Sequence, residues 1–343
     1  LLYYNIMNNF KNGQNNLLTA SVNDNCTCSL FGTTEGFYLY KNEPFNELLY
    51  RKIANGVHQT IQINNSNLFL IVPYQLEHRN ELIIWDDNQS KIISKIIFKK
   101  NILNIYGNNT YIVVATKDKL YIYDFSSMEH LVSIEADNEN GIFQLNDDYI
   151  YYPSQSPNNL NIFNIKTKEV VQTMECHQNP IHAFVISNDG TRLATTSKRG
   201  TIIRIFELNN CVEYKLLKEV RRGSDPADIN HLHISFNNKY LSCCNVKGTL
   251  HVFNIDTEEN NQNAKINVFY LNNLLPKYFS SEWSFSQFYM NNHKMISYFH
   301  PEKDNQLYII CDNGCFYVVD FMNECKVIFS TKFLQELRAE LEL

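Results

Sequence analysis

Lys198–Leu208 reads KRGTIIRIFEL: a charged turn, a glycine, then a run of β-branched and aromatic residues that ends at a polar break. Such a run, bounded by turn residues, is the signature of a short buried strand. The pattern, with Gly, Asp or Asn in the turn, returns six more times, at TTEGFYLYKN (33–42), RNELIIWDDN (79–88), TKDKLYIYDF (116–125), PNNLNIFNIK (157–166), VKGTLHVFNI (246–255) and DNGCFYVVDF (312–321). The strands fall near residues 36–41, 82–86, 119–125, 159–165, 201–207, 249–255 and 315–321, and each is read as the strand that ends its repeat.

The first six are spaced by roughly 38 to 47 residues, the period of WD40-type propeller blades. The last gap, roughly 66 residues, implies an insertion. A sandwich array would also repeat one strand pattern. The count of seven and the blade-length period favour an all-β, seven-bladed WD40-like β-propeller, a single domain over residues 1–343. Only fragments of the WD signature survive, at Trp85-Asp86, Tyr123-Asp124 and Val319-Asp320, and only the tail KFLQELRAELEL, Lys332 to Leu343, reads as helical.

The 343 residues are 44% hydrophobic and 13% aromatic, enough for a packed core. A net charge of −6 and a pI near 5.9 argue against nucleic acid as a partner. No run approaches the ~18 apolar residues of a membrane helix. Nine scattered cysteines, without paired CxxC motifs, read as buried thiols in a reducing compartment rather than as a metal site. Nothing pairs a nucleophile with a base: Glu175-Cys176-His177 are chain neighbours, and neighbours on a strand diverge. Neither an enzyme nor a cofactor is expected.

Against this acidic background KEVRRGSDPADIN (218–230) places Arg221 and Arg222 side by side before Gly223. Guanidinium forks bind phosphate bidentately. Successive strand residues point to opposite sides, so the two arginines are expected to serve two pockets, one towards each adjoining blade, with Gly223 turning the backbone. Gly200-Thr201 with Arg204 lies upstream and Gly248-Thr249 with His251 downstream. His231 and His233 are read as structural.

VRRG between the two Gly-Thr strands, together with SNDGTRLATTSKRGTIIRIF, KGTLHVF and LPKYFSSEWSF, resembles the PROPPIN family, the phosphoinositide-binding propellers that include the WIPI proteins. Val220 stands where that family has Phe or Leu. The likeness is strong from about Cys176 to Phe285; before Cys176 it rests on blade count. It implies a first headgroup pocket of His177, Thr195, Ser197, Gly200, Thr201, Arg204 and Arg221. It implies a second of Arg222, Gly223, Asn245, Thr249 and His251, with Cys244-Asn245 where the family has Ser.

The resemblance further implies a membrane-inserting loop before the last blade, assigned to residues 261–275 with Phe269, Tyr270, Leu271, Leu274 and Leu275 as inserting side chains. An aromatic-rich loop suits the interface, although Trp283 and Phe285 read as core. The implied function is a monomeric, cytoplasmic adaptor. It would sit peripherally on autophagosomal, endosomal or vacuolar membranes, binding phosphatidylinositol 3-phosphate and phosphatidylinositol 3,5-bisphosphate and recruiting autophagy-type partners. Histidines in the pockets would strengthen binding as pH falls through their usual range. A scaffold without lipid binding, its arginines holding an acidic peptide, is the competing class.

Overall fold

The structure, a computed structural model, describes residues 17–211, 213–256, 263–265 and 282–333. Its seven sheets follow one another along the chain. The first shows the plan: Leu17–Val22, Cys28–Thr33, Gly36–Asn42 and Phe45–Lys52 form an antiparallel meander. Burial falls from near-complete on its first three strands to largely exposed on the fourth. Side chains of the first strands bridge adjacent sheets. Ser21 donates to Thr60 O at 2.9 Å, Gln59 to Leu103 O at 2.6 Å, Asn104 to Gly141 O at 3.1 Å and Asn230 to Met295 O at 2.6 Å. Apolar clusters fill the spaces between neighbouring sheets. The result is a seven-bladed propeller with first strands central and fourth strands at the rim.

The recurrent strands are all present, as Gly36–Asn42, Glu81–Asp86, Lys119–Asp124, Asn159–Asn164, Ile202–Asn209, Thr249–Asn254 and Cys315–Asp320. They are the third strands of their blades, not the last. A fourth follows each, for example Lys91–Ile97 and Lys326–Lys332. These outer strands are half solvated and rich in Lys and Glu, so they lack the apolar run that marks the third. Lys332, expected to open a helix, instead closes the last strand; residues 334–343 lie outside the described residues.

The long gap belongs to blade six, whose fourth strand, Ser286–Tyr289, comes only after the insertion. The insertion's near end, Ala264–Lys265, and far end, Glu282–Trp283, join blade five's sheet. Glu282–Trp283 runs parallel to that blade's outer strand, pairing Val220 with Glu282 and Arg221 with Trp283. Phe285 packs against the core between blades six and seven.

Among the described residues no strand is exchanged between the first and last blades. Leu17, Phe31 and Tyr40 of one share a core with Tyr298, Phe316 and Phe333 at the other end of the chain. Phe45 stacks on Phe316 with centroids 4.2 Å apart. At the surface of this seam Glu43 accepts from His300 Nε2 at 2.6 Å and from Lys303.

All nine cysteines are free, six of them buried. Cys243 and Cys244 alternate, the first in the core facing blade five and the second in the core facing blade seven. His231 and His233 are buried against Tyr298, their Nδ1 atoms accepting the main-chain N–H of Ser297 and Phe299.

Candidate phosphoinositide site

Blade five's outer strand, Glu213–Arg221, is the axis of the site. Its register with Ile202–Asn209 sets Arg204 opposite Glu219 and Ile202 opposite Arg221, and Thr195 on the next strand lies opposite Arg204. Residues directly opposite in antiparallel strands share a face, so Thr195, Arg204, Glu219 and Arg221 lie on one side of the sheet. The intervening Val220 packs into the core between blades five and six. Arg222 follows on that side, and its charge is felt by Cys243 and His251 of blade six. The two arginines therefore diverge.

On Arg221's side His177 Nε2 lies 2.9 Å from Thr195 Oγ1. Arg204 donates Nη1–H to Cys176 O at 2.7 Å and Nε–H to Glu219 Oε2 at 2.8 Å. Thr195 is 0% exposed, so it holds His177 rather than meeting a ligand. Ser197 and Thr201 are buried at the mouth of the hairpin that carries Gly200. Gly200 has φ +61, and a Cβ there would stand 1.9 Å from Ala227 O; only glycine fits this turn. Glu219 is a carboxylate that sequence reasoning passed over, although its spacing of two from Arg221 placed it on the same face.

On the other side Arg222 is 8% exposed. Its main-chain N–H donates to Thr201 O at 2.9 Å, its Nε–H to Gly200 O at 2.8 Å and its Nη2–H to Asp225 O. Two of a guanidinium's five N–H groups thus fix its direction, leaving three without partners among the described residues. Asn245 is buried, and its Oδ1 accepts the main-chain N–H of Lys247 at 2.9 Å and of Thr249 at 3.4 Å. Its carbonyl end shapes the turn at Gly248, where φ is +82. His251 Nδ1 lies 3.1 Å from Ser284 Oγ, a residue beyond the insertion that the motif did not point to. Gly223 has ordinary backbone angles, and a Cβ on it would meet nothing within 4 Å. The turn does not require glycine; the position is simply open.

Burial, and then the neighbouring Arg204, lower His177 to about 4. Burial, and then Arg222, lower His251 to about 4. Both imidazoles are neutral at pH 7, so the expected titration near the usual histidine range is displaced downward. Burial pushes the Cys176 thiol up to about 12, the opposite of an activated nucleophile. Among the described residues no cluster of three His, Cys, Asp or Glu is placed to hold a metal, and no helix is long and apolar enough to cross a membrane. Phe269, Tyr270, Leu271, Leu274 and Leu275 lie outside the described residues, as do residues 266–281 as a whole.

The PROPPIN family model matches residues 16–278, which include both arginines, both Gly-Thr hairpins and blades one to four. The chain belongs to the PROPPIN family. The likeness thus extends well upstream of Cys176. Autophagy-related protein 18 of Dictyostelium discoideum is 31% identical over 258 residues, 72% of this chain and 68% of its own length. SVP1-like protein 2 of Emericella nidulans is 33% identical over 223 residues, covering 61% and 69%. The solved structure of Kluyveromyces lactis Hsv2 superposes with a TM-score of 0.76 at 20% identity, over 93% of this PROPPIN and 99% of that chain. KlAtg21, solved in complex with the coiled coil of AgAtg16, gives 0.75 at 21%, over 92% and 99%. At these identities the solved structures speak for the fold. Family and fold together make the protein an autophagy-related β-propeller.

Proposed function

We propose that this PROPPIN is a peripheral membrane adaptor that binds phosphatidylinositol 3-phosphate and phosphatidylinositol 3,5-bisphosphate through the two clefts flanking blade five's outer strand. The observation that carries the reading is the divergence of Arg221 and Arg222, which gives each cleft one guanidinium together with a neutral histidine and a Gly-Thr hairpin. Phosphate needs such convergent donors. The first cleft takes a headgroup on Arg221, Arg204 and His177, with Ser197 and Thr201 at its mouth. The second takes one on Arg222 and His251, with Thr249 and the open space at Gly223.

The insertion adds apolar contact. Its far end, Glu282–Trp283, pairs with the strand that bears Arg221, and its near end, Ala264–Lys265, pairs in turn with Glu282–Trp283. Two headgroups and a loop engaged from one rigid rim multiply affinity, because later contacts become intramolecular. The other blades remain available for protein partners of the autophagy type, on cytoplasmic faces of phosphoinositide-bearing membranes. The role is binding, not catalysis.

The test is vesicle sedimentation with and without phosphatidylinositol 3-phosphate, for the wild type and for Arg221→Thr with Arg222→Thr. Selective binding that the double substitution removes supports the reading. Equal binding by both proteins overturns it and favours the scaffold.

A further inference from the structure

Two side chains beyond the insertion bear on the second cleft. Gln287 stands opposite His251 in the sheet, and its Nε2–H donates to Ser284 Oγ at 2.9 Å. Ser284 Oγ in turn lies 3.1 Å from His251 Nδ1. An amide nitrogen can only donate, so the hydroxyl oxygen accepts from Gln287. The hydroxyl has one proton to give, and His251 Nδ1 is its only other partner among the described residues. Ser284 is buried, and leaving that proton without an acceptor is unfavourable. The proton therefore goes to Nδ1. A neutral imidazole carries a single N–H, so it stands on Nε2, which has no partner among the described residues.

We propose that Gln287 and Ser284 are positioning residues that lock His251 as its Nε2–H tautomer, so that the second cleft presents an uncharged N–H donor to an anion alongside Arg222. The inference rests on the headgroup reading of that cleft. It explains how a histidine beside an arginine can serve an anion site without being protonated: the opposite tautomer would confront the anion with a lone pair. The neutral state agrees with the burial of the ring and the nearby guanidinium. The relay also couples the cleft to the insertion, since Ser284 and Gln287 follow its far end directly.

The experiment has two arms on the full chain. In the first, nitrogen NMR of protein labelled with ¹⁵N-histidine, with the His251 signals identified by their loss in His251→Gln, reads the tautomer without lipid. A pyrrole-type Nε2 and a pyridine-type Nδ1 are expected, with a shift towards the mixed tautomer in Ser284→Ala and in Gln287→Met. A protonated Nδ1 in the wild type overturns the proposal.

In the second arm, affinity for phosphatidylinositol 3-phosphate vesicles should fall by about threefold to tenfold in Ser284→Ala, the loss of one oriented hydrogen bond, and recover in Ser284→Thr. Unchanged affinity in both Ser284→Ala and Gln287→Met overturns it. Gln287→Met decides the matter if Ser284→Ala melts early. A wild type that ignores phosphoinositide vesicles while showing the expected tautomer defeats the headgroup reading rather than the relay.

Discussion

Arg204 and Glu219 face each other across the third and fourth strands of blade five, with Nε 2.8 Å from Oε2. A cleft proposed for an anion thus contains its own carboxylate, which competes for the guanidinium and repels phosphate. Glu219→Gln should therefore tighten binding to phosphatidylinositol 3-phosphate vesicles. Partly exposed pairs of this kind are worth about 0.2–1 kcal/mol, or about 1.4- to fivefold. Vesicle titration at fixed salt measures it, and weaker binding would mean that Glu219 is needed to aim Arg204.

The adjacent arginines should not be equivalent in stability. Arg222→Thr leaves the buried carbonyl of Gly200, and the carbonyl of exposed Asp225, without their donor, at a cost of about 1–3 kcal/mol for the buried one, and the melting temperature should drop by several degrees. Arg221 is only half-buried at its strand end, so Arg221→Thr should lower the melting temperature less. Both should weaken vesicle binding. Matched melting curves for the two would contradict the bonding described for Arg222.

The glycines separate in the same way. Gly200→Ala forces a Cβ onto Ala227 O at a positive φ and should cost about 1–3 kcal/mol. Gly223→Ala meets no atom and should leave thermal stability unchanged. If a headgroup uses that opening, Gly223→Val should weaken vesicle binding while melting normally. Wild-type affinity for Gly223→Val would place the headgroup elsewhere.

Acid should unfold the protein early. Burial holds His58 and His233 at about 3 and His177 and His251 at about 4, and it also lowers His182 and His231. The unfolded chain takes up protons on these groups below about pH 6.5, before the folded chain does. Their contribution is whole above that value and is lost as pH falls towards 4, by about 1.4 kcal/mol per pH unit for each proton difference. Denaturant midpoints from pH 7.5 to 4.5 measure it; a flat profile would show these imidazoles to be solvated.

For lipid binding the sign is opposite. A bound phosphate favours the charged imidazole, so affinity rises as pH falls through the bound-state pKa and stops rising below about 4. At His177, faced by Arg204 and Glu219, the gain should emerge below neutrality and disappear in His177→Gln. Persistence of the slope in that variant would assign it to another group.

The third strands and the arginine motif were legible because each is local: turn residues and an apolar run, or two arginines and a glycine, lie within about ten residues. The fourth strands were not, because a solvated edge imposes little pattern. The divergence of Arg221 and Arg222 follows from strand alternation alone, and the same rule would have exposed Glu219. Thr195 carries the right chemistry but lies too deep to touch a ligand, and depth is not written in residue type. Ser284 is 33 residues from His251, across the insertion, and only the sheet brings them together. Gly223 was legible as a motif letter, yet its backbone is ordinary and the space around it is open.

The seam between the first and last blades has a consequence for synthesis. The flank of blade one that carries Leu17, Phe31 and Tyr40 is covered by residues up to Phe333. Translation of the intervening chain takes on the order of half a minute at ordinary elongation rates. Through that interval a nascent protein lacks the blade-seven residues, Tyr298, Phe316 and Phe333, that pack on this aromatic surface. A stalled ribosome or a frameshift late in the message would leave six complete blades with a sticky, unclosed side, a natural substrate for chaperones and for degradation.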